Sequence, residues 1–288
     1  MRRAAFVAGA VAAAATPRAL RAADLDLDDL VARIPGITGI AARTMDDNPV
    51  AVVRADERFP SASVIKCAIM ATVYRAYDAG TARPSDTVAL RGADLVGGSD
   101  ALAGARSGQR LTLDALVRAM IGVSDNAASN ALITAFGMQA INATMQLAGM
   151  SSSRLARHFA DVVPSWRRSE NLITPNDTAT LLYEIERGAR EGIATIASAP
   201  SCREMLDILL TNDDPTKIVR GLPPGTPCAH KTGEIDGVRN DAAVVDPFGD
   251  APYVLVILTR NLRSTAAGDA GIAAIAHRID KAVRTGSA

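Results

Sequence analysis

Lysine is scarce in this 288-residue chain: Lys66, Lys217, Lys231 and Lys281 are the only four. Aromatic residues make up 3%, too few for a stacking platform on single-stranded nucleic acid. Formal net charge is zero, so no basic surface for phosphate backbones is indicated. Three histidines (His158, His230 and His277) and three cysteines (Cys67, Cys202 and Cys228) offer no metal-ligand spacing, and no Cys-x-x-Cys occurs. No histidine triad or metal site is expected, and no cofactor is called for. An odd cysteine count in an exported chain leaves at least one unpaired, and Cys67 reads as core packing. Beyond the first residues, no run is long and apolar enough to span a bilayer.

What is present fits a globular chain: 48% apolar and 22% charged residues, enough for one large core or two lobes sharing one. The first 15 residues have a basic tip, Arg2-Arg3, followed by a small-residue apolar run; Ala22-Ala23 then precedes the acidic Asp24. This is the layout of an export signal, and the arginine pair suggests the twin-arginine route. Residues 1–23 are therefore read as a signal and 24–288 as the mature domain, in the periplasm or secreted. Loss of Arg2, Arg3, Arg18 and Arg21 leaves a net charge of −4.

Residues 26–34 read as a short helix, and 37–44 and 50–54 as strands around the turn Asp46-Asp47-Asn48-Pro49. An apolar helix follows Ser63 and closes near Gly80. Residues 83–108 are mostly loop, and Gly97-Gly98-Ser99 is either a turn or the rim of a site. Residues 111–149 are nearly all helical, interrupted at Ser124-Asp125-Asn126. Residues 151–173 lack periodicity and read as a long surface loop. Thr174-Pro175 restarts a helix as N-cap and first position, and short helices are expected at 193–196 and 200–210. Strands return near Lys231, at 242–245 and at 253–259, before an amphipathic helix over 268–283. The economical solution is a mixed α/β fold of the α+β kind. Both chain ends (24–60 and 212–288) build one antiparallel five-stranded sheet with terminal helices on it, beside a helical lobe (61–211).

Three motifs carry chemistry. Ser63-x-x-Lys66 is the only Ser-x-x-Lys in the chain; chance supplies roughly 0.2 such pairs from its serines and lysines. On a helix the two residues share a face. A serine hydroxyl becomes nucleophilic when a neighbouring base takes its proton, and a lysine can be that base where burial lowers its pKa. Alone, a serine N-cap before a solvated lysine explains the pair as well. Ser124-Asp125-Asn126 and Lys231-Thr232-Gly233 follow in order.

This ordered set resembles that of class A serine β-lactamases and penicillin-binding proteins, over essentially the whole mature chain. The resemblance implies a Ser63 acyl-enzyme formed with help from Lys66. It implies proton relay by Ser124, and Asn126 holding Lys66 and the substrate amide. Lys231 and Thr232 would bind a substrate carboxylate, Gly233 would admit the ligand to the strand edge, and the backbone N–H groups of Ser63 and Glu234 would form an oxyanion hole. Arg239 is either a second carboxylate anchor or a surface ion-pair partner. The implied partner is a small β-lactam or peptidoglycan-like substrate, with no nucleic acid, no membrane after signal cleavage, and a monomer as the state. The long loop departs from the family. The family's loop glutamate, in a Glu-x-x-x-Asn pattern, activates the deacylating water; the 151–173 loop has no such pattern, and Val163 stands near the position expected for short-loop relatives. Asp161 and Glu170 are the remaining candidate bases. Glu170 can alternatively pair with Arg167 or Arg168. Acylation is expected, and slow deacylation with it. A cell-wall DD-peptidase or esterase, and an acyl-trapping sensor, are the rival readings.

Overall fold

The computed structural model describes residues 25–98, 101–160, 170–192 and 195–286. The expected signal, Asp161, Val163 and Trp166 lie outside the described residues. The chain opens with α1 (Asp28–Ala32), β1 (Ile37–Thr44) and β2 (Pro49–Val53). After the two-residue β3 (Phe59–Pro60), a 3-10 turn at Ala62–Ile65 leads into α2 (Lys66–Asp78). A small ribbon, β4 (Thr87–Ala89) with β5 (Arg110–Thr112), precedes α3 (Leu113–Gly122), α4 (Asn126–Phe136) and α5 (Met138–Leu147). Then come β6 (Leu172–Ile173), α6 (Pro175–Glu191), α7 (Ala199–Leu209) and α8 (Ile218–Gly221). The chain closes with β7 (Cys228–Ile235), β8 (Val238–Val245), β9 (Tyr253–Arg260) and α9 (Thr265–Thr285).

The five long strands form one antiparallel sheet in the order β2-β1-β9-β8-β7. Strands from both chain ends meet at its centre, where β1 pairs with β9 along its whole length. Side chains alternate across a strand, so β9 feeds two cores. Val254, Val256 and Leu258 join the core shared with the helical lobe. Tyr253, Leu255 and Ile257 join Ile272, Ile275 and Ile279 of α9 in the other. Coverage on both faces explains why β9 reads as an unbroken apolar run.

Helix starts are set by local chemistry. The Thr112, Asp125 and Thr174 side chains each accept from a backbone N–H in the first turn, of Ala115 (3.2 Å), Ala128 (2.8 Å) and Asp177 (3.0 Å). Gly192, left-handed at φ 73°, ends α6. The helix expected over 193–196 does not form in its described part, where Thr195 and Ile196 are bends. Residues 83–108 also hold one strand of the β4–β5 ribbon, three residues per strand and too short to show a period.

The sheet and the turn that carries Ser63 are tied by Asn240 on β8, fully buried. Its amide donates to Pro60 O at 2.8 Å and Ser61 O at 3.3 Å, and its oxygen accepts from Thr259 N–H at 2.9 Å. Asn240→Leu takes the amide partner from Pro60 O and from the Thr259 N–H, while Ser61 O keeps the Val64 N–H at 3.1 Å. We expect a loss of about 3 kcal/mol in urea unfolding, since each orphaned group costs roughly 1–3 kcal/mol; a loss under about 1 kcal/mol would contradict that tie.

Candidate active site

Ser63 sits in the Ala62–Ile65 turn rather than at the first position of an α-helix, and α2 begins at Lys66. A 3-10 turn has 3.0 residues per turn, so positions three apart eclipse more closely than in an α-helix. Ala62, just before the serine, is held at φ +44°, a left-handed conformation that a non-glycine residue adopts under constraint. The constraint comes from three sides. Ser61 N–H donates to Asn171 O at 2.8 Å, Asn240 holds Pro60 O and Ser61 O, and β7 lies against the turn. A Cβ added at Gly233 would stand 3.0 Å from Ser61 O, 3.0 Å from Ser63 N and 3.1 Å from Ala62 Cβ. The strand edge therefore approaches the Ser63 backbone itself at Gly233, where the sequence suggested close approach of a ligand.

Lys66 is fully buried. Its Nζ donates to Ser124 O at 2.6 Å, Ser124 Oγ at 3.1 Å and Asn126 Oδ1 at 3.0 Å. Ser124 adopts φ +59°, which turns the chain sharply between α3 and α4. Asp125 caps α4 and also accepts from Leu102 N–H at 3.1 Å. Asn126 donates to Gly97 O at 3.0 Å, so the Gly97-Gly98 turn borders this site. The Phe159 ring lies 4.6 Å from Lys66 Nζ, and the Phe159 backbone is pinned both ways by Asn130 (2.8 and 3.1 Å). Burial drives the Lys66 pKa well below its ordinary 10.5; the Lys231 charge adds to this and the Asp125 carboxylate opposes it.

Lys231 is also fully buried, and its Nζ donates to the Thr232 carbonyl at 2.9 Å. Burial pulls its pKa down to about 8, against the pull of the Asp241 and Asp214 carboxylates. Thr232 is buried beside it. Glu234 pairs with Arg239 across the β7–β8 hairpin. Arg239 N–H donates to Thr259 Oγ1 on β9, so this is a non-hydrogen-bonded pair of the β7–β8 ladder. The Glu234 N–H consequently faces the open edge of β7. Its side chain is engaged elsewhere, with Lys217 and, at 4.0 Å, with Arg239.

Lys217, which belongs to none of the three motifs, is buried and donates to Asp214 (2.7 Å), Thr216 Oγ1 (3.0 Å) and Glu234. Burial lowers its pKa, but Asp214 and Glu234 outweigh burial and raise it. One signal pointed to it, since a lysine after Asp213-Asp214 in a four-lysine chain is conspicuous. Beneath them, His230 Nδ1 meets Asp241 Oδ1 at 3.1 Å; burial lowers the imidazole pKa and Asp241 more than offsets it.

Of the two candidate deacylation bases, Asp161 lies outside the described residues. Glu170 is ion-paired with Arg157 at 2.9 Å and accepts from Asn171 N–H at 3.0 Å; Arg167 and Arg168 lie outside the described residues. It lines an open cavity of about 850 Å³ with Arg58, Asn142 and Gln146, and Ser63 is not part of that lining. Asn171 anchors the loop base by accepting from the Ala156 and Arg157 N–H groups at 2.8 and 2.9 Å. All three cysteines are free and buried.

Comparison with known proteins places these features in context. A profile of the β-lactamase enzyme family matches residues 22–283. A β-lactamase from Nocardia asteroides is 30% identical over 234 residues, covering 78% of this chain and 72% of that protein. One from Stenotrophomonas maltophilia is 29% identical over 252 residues, covering 86% and 81%. Among solved structures, a β-lactamase from Sphaerobacter thermophilus superposes with a TM-score of 0.80 at 32% identity, over 91% of this chain and 99% of that one. The penicillin-binding protein PBP-A superposes at 0.79 and 27% identity, over 89% and 94%.

The Lys231 shift makes a stability prediction. Its folded pKa, about 8, lies below the ordinary 10.5, so the buried charge costs most below pH 8. Between pH 8 and 10.5 the unfolded chain binds more protons, and wild-type stability rises relative to Lys231→Met. Urea unfolding should show the Met variant ahead at pH 7, with its lead shrinking by about 3 kcal/mol by pH 10.5. A lead independent of pH would contradict the shift.

Proposed function

Since the chain belongs to the β-lactamase enzyme family, a family of hydrolases, we propose that it opens β-lactam rings through an acyl-enzyme on Ser63 and releases that acyl group slowly. The observation that carries this reading is the buried Lys66 amine, held against both Ser124 and Asn126. In its neutral form Lys66 takes the Ser63 proton as Oγ attacks the lactam carbonyl carbon. The Ser63 and Glu234 N–H groups stabilise the oxyanion. Ser124, hydrogen-bonded to Lys66, passes a proton to the ring nitrogen as the C–N bond breaks. Lys231 and Thr232 attract the substrate's anionic end.

Slow release is supported by what faces Lys66. The family's loop carboxylate would activate a water beside this amine; among the described residues the apolar Phe159 ring lies against it, and Glu170 is held by Arg157. A second reading is favoured by one specific likeness. PBP-A is named as a penicillin-binding protein, and a single-substitution mutant of it is solved as an acyl-enzyme complex with penicillin G, at a TM-score of 0.80. A wall-peptide hydrolase that β-lactams trap would use the same residues.

A fluorescent penicillin should label wild type but not Ser63→Ala, and a chromogenic cephalosporin should give a burst of one equivalent before a slow steady rate. Unlabelled wild type removes the acyl-enzyme. Fast turnover without a burst refutes slow release.

A further inference from the structure

Phe159 faces two ways. On one side its ring lies over the Lys66 amine, 4.6 Å from Nζ. On the other it lines a cavity of about 300 Å³ together with Arg91, Asp94, Val96, Asn130 and His158. Neither Lys66 nor Ser63 is part of that lining, and Lys66 is fully buried. The cavity is polar enough to hold water. The Arg91 side chain in its wall is 56% exposed, and the buried His158 Nε2 has no partner among the described residues. There is room for several waters, and an unpartnered ring nitrogen is a site for one. The backbone that carries the Phe159 ring is fixed, since Asn130, 1% exposed, accepts from Phe159 N–H at 2.8 Å and donates to Phe159 O at 3.1 Å. Ala160, next in the chain, is held at φ +49°, a left-handed conformation that persists under constraint. A change of side chain at 159 therefore opens or closes the wall while the backbone stays in place.

We propose that Phe159 is a water shield: its ring separates the Lys66 amine from the water of the adjoining cavity, and this separation makes the Ser63 acyl group persist. This deepens the slow-release reading by naming the residue that sets the lifetime, and it rests on that reading for the acyl-enzyme itself. Release needs a water at the ester carbonyl carbon and a base for its proton. Lys66 takes the Ser63 proton during acylation and gives it up through Ser124 to the ring nitrogen, so it is neutral again and can be that base. Water would attack the carbonyl carbon as Lys66 takes its proton. The bond from that carbon to Ser63 Oγ would then break, and Lys66 would return the proton to Oγ as the acid leaves. The water is the one reactant that the ring keeps away. An aromatic face offers an incoming water no strong hydrogen bond, and its attraction for a protonated amine holds it against Nζ.

The test compares wild type with Phe159→Ala, which removes the wall, and Phe159→Leu, which trims it but keeps it apolar. Each protein is loaded with penicillin G and separated from free ligand, and loss of the acyl mass is timed by intact-protein mass spectrometry. Phe159→Ala should release about tenfold faster, short of the roughly 10²–10⁴-fold of a positioned base because nothing aligns the new water. Phe159→Leu should stay near wild type. The Phe159→Ala rate should rise with pH and level off once Lys66 is neutral, a profile that loosened packing alone would not produce. An unchanged lifetime in Phe159→Ala, equal shortening in Phe159→Leu, or a gain flat in pH overturns the proposal. If Phe159→Ala does not fold, Phe159→Val takes its place. Brief treatment of the ligand-free proteins with acetic anhydride, read by peptide mass at Lys66, keeps the two readings apart. The shield predicts modification of Lys66 in Phe159→Ala and protection in the other two. That pattern, with no penicillin labelling of wild type, sinks the acyl-enzyme and leaves the shield standing. Labelling of wild type with Lys66 protected in every variant sinks the shield alone.

Discussion

Two lysine amines are removed from water within one site, and the surrounding architecture holds them there. A buried ammonium is costly unless hydrogen-bonded and paired, and two of them repel each other. Lys66 meets that cost with two oxygens of Ser124 and one of Asn126. Lys231 has a backbone carbonyl close by and carboxylates further off, and its pKa falls to about 8. Such an amine can lose a proton near neutral pH, which an exposed lysine cannot do. The same burial that makes Lys231 a liability for stability makes its charge strong toward a ligand.

The elements bringing these groups together are far apart in sequence. β7 comes from the C-terminal part of the chain, the Ser63 turn from the N-terminal third, and Ser124 from the turn between two helices. Gly233 lets β7 approach the turn, and Asn240 fastens the turn to β8. The left-handed backbones at Ala62 and Ser124 belong to the two turns that carry the site's serines. Strain is tolerated where surrounding hydrogen bonds over-determine the chain, as they do here.

Much of this is legible in the residues. Apolar alternation marked the sheet halves and helical periodicity the middle block, and Thr174-Pro175 marked the start of α6 to the residue. The three motifs stood out because lysine is rare. The details that escaped depend on contacts between distant segments. Phe159 reads as an ordinary loop aromatic until the fold turns its ring onto Lys66. Glu170 follows Arg157 by thirteen residues, and only the folded loop brings the two together. Glu234 reads as a backbone donor, and the ion pairs of its carboxylate depend on where Lys217 arrives. Hydrogen bonds of this kind have no period and leave no trace in local spacing.

The scarcity of lysine also makes the decisive observation practical. With only four lysines, side-chain nitrogen resonances of lysine-labelled protein can be followed one by one through a pH titration, and Lys66→Arg identifies the signal that matters. The structure predicts that the Lys66 amine loses its proton well below 10.5. A Lys66 signal that titrates at the ordinary value would mean that the amine is solvated, and that Ser63 has no base beside it.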